Sequence, residues 1–321
     1  MSIKKLLVIA VSFFCLMPLV AQNDDSFSDF DMVVLEAKKN EVYGKYTIGE
    51  HVQSYTERRW VEAFSINRYE TTYRLWYEVL QWANDHGYLF QNPGQEGSSG
   101  RRGRMPTQVR RYQPVTMISW YDAIVWCNAL SEKEGRTPCY TYSGQVLRDA
   151  TDTLACDLAD CDWSANGFRL PTETEWEYAA RKQGDTFQRG DLASGQTSEL
   201  SAEDVAWFSD NATTVHVVGT AGTPFVSTAS PEPGSGNANA AGLFDMSGNV
   251  LEFCWDWEAD YEETAPETRA TGPRFGSQRV CRGGSWSPYS FMIYAADRYA
   301  FDPNEAYNYL GFRICSSYVE K

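Results

Sequence analysis

Apolar positions recur every three to four residues in three stretches and on alternate residues in a few shorter ones. In "TTYRLWYEVLQWANDHG" (Thr71 to Gly87), Trp76, Val79, Leu80 and Ala83 share a face. Thr71 or Thr72 supplies a cap and Gly87 a stop, which predicts a helix. Ser119 opens a second helix with Ala123, Trp126, Cys127 and Leu130 on one face; Gly135 and Pro138 end it. Thr172 and Glu175 make a capping box for a third, with Trp176, Ala179 and Ala180 inward and Gly184 as its stop. "VYGKYTIGE" (Val42 to Glu50) alternates as a strand and turn, and "AFSIN" leads as a strand into the first helix. Gly94 to Arg104 reads as a flexible loop, and Gly190 to Gly242 as irregular structure rich in Gly, Ser, Thr, Ala and Pro. No repeat and no second core with its own boundary interrupts this, so one domain is expected.

The N-terminus departs from the pattern. Lys4 and Lys5 precede "LLVIAVSFFCLMPLV", a run shorter than the roughly 20 apolar residues of a membrane span. It reads as a signal peptide over residues 1–21. Leu19-Val20-Ala21 before Gln22 is one processing site; Cys15, as the lipid-modified end of a bacterial lipoprotein, is the other. Either route means export, with the outer cell surface as the expected location and the periplasm as the alternative. Residues 22–40, with "NDDSFSDFD", read as a flexible acidic lead-in to a domain at 41–321.

Composition narrows the class. The 321 residues include 24 Gly, 11 Trp and 19 Tyr, which favours a loop-rich α+β fold over a helical bundle. A net charge of -15 argues against nucleic acid as a partner, because phosphate backbones need clustered Lys and Arg. A membrane is expected to be met only through a lipid anchor, and the chain is expected to be a monomer. Export permits disulfides. With Cys15 set aside, seven of the eight cysteines remain, so at least one lacks an intrachain partner.

Catalytic signatures are scarce. Histidine occurs only at His51, His86 and His216, and no HExxH, CxxC, Walker loop or GxSxG motif is present. "LFDMSGNVLEF" (Leu243 to Phe253) sets Asp245 and Glu252 on either side of a Gly-containing turn. Such a pattern serves either as an all-oxygen site for a hard cation such as calcium or as a tight turn whose acids cap backbone N–H groups. "GGSWSPYSFMIYAADRYAFDPNEAYNYLGFR" (Gly283 to Arg313) holds nine aromatics without a clean period. Trp286 and Phe312 read as core or sheet residues and Arg298 as a structural ion-pair partner. Tyrosines among Ser, Asn and Asp have the chemistry of a binding face, with rigid contact area and adaptable hydrogen bonding.

Five motifs in order, "ISWYDAIVWCNALSEKEGRTPCY", "ANGFRLPTETEWEYAAR", "GLFDMSGNVLEFCWDW", "RVCRGGSW" and "LGFRIC", resemble the formylglycine-generating enzyme family, also called the sulfatase-modifying factor domain. The resemblance runs from about Val42 to the C-terminus. It implies a C-type-lectin-like fold: a mixed sheet, flanking helices and much irregular structure. The family's oxidases use a copper-binding cysteine pair shortly after GGS[WY]; here "SPYSFMIYAADR" (Ser287 to Arg298) has no cysteine, so copper is not expected. A second branch depends on an additional histidine-bearing helical domain that this sequence lacks. The family's calcium ligands correspond to Asp245, Gly248, Val250 and Glu252, which implies structural calcium. Its second calcium position falls on Trp207, which offers no oxygen. The family's disulfide corresponds roughly to Cys127 and Cys315, with the second cysteine displaced by one residue.

Within this family the segment between GGSW and GFR is similar to that of the variable proteins of diversity-generating retroelements, the treponemal variable protein among them. In these, adenines of a template RNA are copied promiscuously. An AAY codon so randomised excludes Trp, Met, Lys, Gln and Glu; between Ser287 and Leu310 only Met292 and Glu305 belong to that set. The resemblance implies a non-catalytic, exported protein that displays a hypervariable segment at about 287–310 to a surface protein or glycan. The expected contact residues are Ser287, Tyr289, Ser290, Phe291, Tyr294, Asp297, Tyr299, Phe301, Asp302, Asn304, Tyr307, Asn308 and Tyr309. The alternatives are an oxidase of the formylglycine-generating type, or a related enzyme, and a structural envelope or motility lipoprotein.

Overall fold

Residues 27–36, 41–42, 58–59, 61–223, 231–260, 271–290 and 292–317 are described by the computed structural model. The leader with Cys15, most of the strand expected at Val42–Glu50, and Phe291 lie outside them.

Two sheets meet near the C-terminus. Strands β1 (Met32–Leu35) and β2 (Phe64–Asn67) pair antiparallel, Met32 opposite Asn67. Helices α1 (Tyr73–Asn84), α2 (Trp120–Lys133) and α3 (Glu173–Arg181) follow. The second sheet holds β3 (Leu251–Trp257), β4 (Arg279–Arg282), β5 (Arg298–Phe301) and β6 (Leu310–Gly311) in the spatial order β5-β4-β3-β6. Its pairings are antiparallel except β3 with β6, which is parallel, so the sheet is mixed. The last strand, β7 (Cys315–Ser317), returns to β2. The fold is α+β, with a mixed sheet and flanking helices, as expected.

The caps act as the sequence predicts. Thr72 accepts from Leu75 N, while Ser119 with Asp122 and Thr172 with Glu175 form complete capping boxes. Arg169 doubles the last one: its Nη1 and Nη2 reach the two Glu175 oxygens at 2.6 and 2.8 Å, fully buried. Helix α2 is buried from Trp120 through Ser131, all round rather than on one stripe.

Strand alternation in "LEFCWDW" sorts β3 onto two unlike faces. Leu251 and Phe253 join α1 and α2 in the larger apolar core, together with Cys281, Phe312 and Ile314. Glu252 and Asp256 face α3, where Trp176 Nε1 donates to Glu252 and Glu173 N to Asp256. Strands β4 and β5 carry the polar face on: Arg282 pairs with Glu177, and Arg298 with Glu173 at 2.5 Å. One side of the sheet is thus apolar, and the other mixes buried ion pairs with a second apolar cluster that includes Cys254, Val280 and Trp176.

Two expectations are corrected. The acidic lead-in is structured from its middle onward: Met32–Leu35 is an ordered strand, and Asp29, almost buried, accepts from Thr72 Oγ1 and pairs with Arg74. The domain therefore begins before residue 41, because β2 needs a second neighbour to complete its ladder. The loop Gly94–Arg104 is pinned rather than free: Gly103 N donates to Gly94 O, and Thr116 Oγ1 to Gly97 O. All seven cysteines after Cys15 are free thiols, so no bond joins Cys127 and Cys315. Cys315 Sγ instead lies 3.9 Å from a Glu175 oxygen.

Arg313, fully buried, ties the parts together. It holds both Glu252 oxygens at 2.6 and 2.7 Å and also donates to the carbonyls of Asn67, Arg68 and Phe244. Two further buried acids crowd this pair. Glu70 accepts from Val250 N and Asn249 Nδ2; Asp245 accepts from Gly219 N, and its Oδ1 has no partner. Burial, then the charges of Asp245 and Glu252, pushes Glu70 well above its usual range. Burial likewise takes Asp245 up to about 6.

Arg313→Met, which leaves Glu252 buried without a counter-charge, is expected to cost about 3–5 kcal/mol in urea unfolding. For both acids the folded state retains protons that the unfolded chain releases, so the contribution of Asp245 to stability falls as pH rises from 3.8 to about 6, and that of Glu70 falls in the same sense above 4.5. Asp245→Asn keeps an acceptor for Gly219 and tolerates the φ of 53°. It is expected to raise Tm at neutral pH and flatten that decline; a lower Tm at neutral pH would contradict this account.

Candidate functional site

The aromatic segment leaves β4 at Gly283, returns along β5, and closes at β6. Its second half is a loop, 302–309, whose main chain is fixed from outside. Trp120 N donates to Pro303 O, Met117 N to Tyr307 O and Leu251 N to Tyr309 O, at 2.9 to 3.0 Å. Asp302 Oδ1 accepts from Asn304 N, and Glu305 accepts both from Asp302 N and from the Tyr307 hydroxyl. Main-chain anchors from outside and the Asp302 and Glu305 side chains together brace the loop.

Side chains divide by exposure. Tyr289 is 81% exposed and Tyr294 39%. Asp302 and Asn304 are exposed; Phe301, Tyr307, Asn308 and Tyr309 are half-buried. Tyr307 and Tyr309 stack at 5.0 Å with an interplanar angle of 3°, and Phe301 meets Tyr307 edge-on at 5.7 Å. Burial, then Glu305 and Tyr289, raises the Tyr309 hydroxyl above its ordinary range. Tyr289 therefore belongs to the same face. Tyr294 stands apart, bridged through its backbone to Ala193.

Three of the expected contact residues turn inward, and Tyr299 is half-buried. Ser287 and Ser290 are buried: Ser290 Oγ bonds Ser285 Oγ, and Ser287 Oγ accepts from Tyr289 N. Asp297 is buried against Arg282 and accepts from Tyr294 N; burial takes it up to about 6. Tyr299 packs on the larger core, and its hydroxyl accepts from Met292 N. A short polar side chain next to a tight turn bonds its own backbone first, which the sequence pattern alone does not reveal. The structure adds Gln91 and Ser98 to the rim: Gln91 Nε2 reaches Asn304 Oδ1, and Asn308 Nδ2 donates to Ser98 O. Both are about 200 residues away in the chain, and no local signal marks them.

The other candidate set, Asp245, Gly248, Val250 and Glu252, comes together around the turn, where Asp245, Gly248 and Asn249 have φ of 53°, 80° and 56°. Gly248 N donates to Gly283 O and Asn249 N to Trp207 O, and a Cβ on Gly248 would strike the Trp207 backbone. Val250 N is taken by Glu70. The donor set does not fit calcium. Both Glu252 oxygens are engaged by the Arg313 guanidinium, itself a cation, and one of them by Trp176 as well. Of the two acidic side chains of the set, only Asp245 has an oxygen, Oδ1, without a partner. Among the described residues no group of three or more His, Cys, Asp and Glu is placed to hold a metal ion. At the second family position Trp207 stacks on His216 at 3.8 Å, and burial lowers that imidazole to about 4.

The thiols nearest the aromatic segment are Cys281 and Cys315, both fully buried. Burial raises Cys281 well above the usual thiol range, which disfavours the thiolate needed for nucleophilic or copper chemistry. Arg298, paired with Glu173 and donating to Ala259 O, is structural, as its sequence position implies.

Comparison with known proteins sets this geometry in a family. The model of the sulfatase-modifying factor enzyme 1-like domain matches residues 21–318. The chain is 32% identical over 230 residues to chaperone protein LppX of Paenibacillus barcinonensis, covering 70% of this chain and 69% of that one. It is 26% identical over 268 residues to the formylglycine-generating enzyme of Bos taurus, covering 81% of this chain and 67% of the enzyme. Among solved structures, Treponema denticola variable protein 1 superposes with a TM-score of 0.66 at 28% identity, over 89% of this chain and 94% of that one. The chain belongs to the sulfatase-modifying factor enzyme 1-like domain family.

Proposed function

We propose that this protein is a non-catalytic, exported ligand-binding protein whose C-terminal aromatic face, within residues 287–310, is a hypervariable contact surface. The observation that carries the proposal is the combination of exposed or half-exposed Tyr289, Phe301, Tyr307, Tyr309, Asp302 and Asn304 with a loop backbone held by Trp120, Met117 and Leu251. Rigid aromatics on a fixed frame lose little entropy on binding. Against an oxidase stand the cysteine-free stretch Ser287–Arg298 and the burial of Cys281 and Cys315. The likeness to the treponemal variable protein supports display, and the likeness to a chaperone protein supports a protein ligand at the cell surface, with a glycan as the second source. The basic, apolar N-terminus supports export, through either Cys15 or cleavage after Ala21.

Two measurements test this reading. Tyr289→Ser with Asn304→Ser is expected to shift stability by no more than about 0.5 kcal/mol. Tyr299→Ser should cost more, about 1–3 kcal/mol, because that half-buried ring packs on the core and its hydroxyl accepts from Met292 N. Equal losses in both variants would overturn the display reading. Sequencing around the gene is expected to find a reverse transcriptase and a near-copy of codons 287–310 that differs only at adenines. Absence of both would sink the hypervariable part and favour a fixed envelope role.

A further inference from the structure

A pocket of about 580 Å³ opens at the far end of β3 and β4, lined by the tips of those strands, residues 142–143, residues 157–163 and the turn at 271–275. None of residues 283–313 lines it, so it stands apart from the aromatic face. At its base lies Arg279, 1% exposed. Its guanidinium is sandwiched between the rings of Trp120 and Trp257, at 3.5 and 3.4 Å from their centroids. Nη1 donates to Trp255 O, and Nε has no partner. Among the described residues no carboxylate lies within ion-pair distance of it. Burial lowers it to about 9, although Asp157 and Asp256 act in the opposite sense. Buried donors are almost always satisfied, so an open one marks a place for an acceptor that arrives from outside. Because both ring faces are closed, an oxyanion can meet this guanidinium only edge-on, in its plane, which is the direction of a bidentate carboxylate.

The walls narrow the class. Trp163 and Trp255 are half-buried and meet at 86°; Arg169 lies over one ring and Tyr140 stacks on the other, which leaves each indole one side toward the pocket. Asp157, which accepts from the Tyr121 hydroxyl, and exposed Asp160 line the same space, with Arg274 at the mouth. A bare carboxylate would be repelled by the two acids. A ligand whose carboxylate reaches Arg279 and whose hydroxyls donate to Asp157 and Asp160 answers all of them, and an aliphatic ring face suits the indoles. We propose that this pocket binds an acidic sugar, a carboxylated pyranose of the uronic or sialic type.

Titrations of the purified full chain, followed by tryptophan fluorescence and saturation-transfer NMR, should use glucuronate and N-acetylneuraminate, with glucose and benzoate as controls. At least one acidic sugar is expected to bind saturably, about tenfold or more tighter than glucose or benzoate. Arg274→Gln, at the exposed mouth, should weaken it about tenfold at unchanged Tm, and Trp163→Ala should weaken it as well, with a lower Tm because that ring also packs on Arg169 and Trp255. Tyr289→Ser should leave it unaltered, which separates this site from the aromatic face. Equal binding of glucose, binding of benzoate as tight as that of the sugars, no saturable binding up to about 50 mM, or indifference to Trp163→Ala would overturn the assignment.

Discussion

Arg313 and Glu252 meet by two hydrogen bonds in complete burial, and most of the architecture hangs from that contact. Glu252 is on the central strand of the mixed sheet; Arg313 follows β6 and precedes the strand that enters the other sheet. The remaining guanidinium donors hold the end of β2 and the segment before the Asp245 turn. A single cation thus fixes the angle between the sheets and the point at which the aromatic segment must end. Desolvating such a pair is costly, and its Coulomb energy repays the cost only because every donor of the arginine finds an acceptor. The adjacent Glu70 and Asp245 have no second guanidinium, so the excess negative charge is relieved by protons.

The same economy governs the sheet face toward α3. Arg282, Arg298 and Arg181 interleave there with Glu173 and Glu177, where most sheets bury aliphatic groups. Charges so arranged are weak contributors to stability but strong determinants of register, because a slip of one residue would bring Arg282 or Arg298 into the apolar core. That register places Gly283 and the aromatic segment at a defined height above the helices.

What was legible in the chain follows from the range of the interactions involved. Thr72, Ser119 and Thr172 were readable as caps because a cap is decided within four residues. Trp76, Val79 and Leu80 were readable as core because helical period is local. Met32–Leu35 was hidden inside an acidic stretch because its strand exists only through pairing with the distant segment Phe64–Asn67. Ser287, Ser290 and Asp297 look like surface chemistry by residue type, yet each is consumed by its own turn or by Arg282. Glu252 carried two compatible readings until Arg313, 61 residues later, was seen to occupy it. Motif resemblance identified the family; only the partners of each oxygen could separate a metal ligand from a counter-ion.

The main-chain anchoring of the 302–309 loop has a further consequence. Its three fixed points are the carbonyl oxygens of Pro303, Tyr307 and Tyr309, groups every amino acid possesses. The shape of the loop is therefore specified by positions outside it, at Met117, Trp120 and Leu251. Asn304, whose side chain bonds no backbone group of the loop, can be replaced with the trace kept, whereas Asp302 and Glu305 also brace it. Exposed side chains at the tip and the contacts that set its form are thus assigned to different parts of the chain.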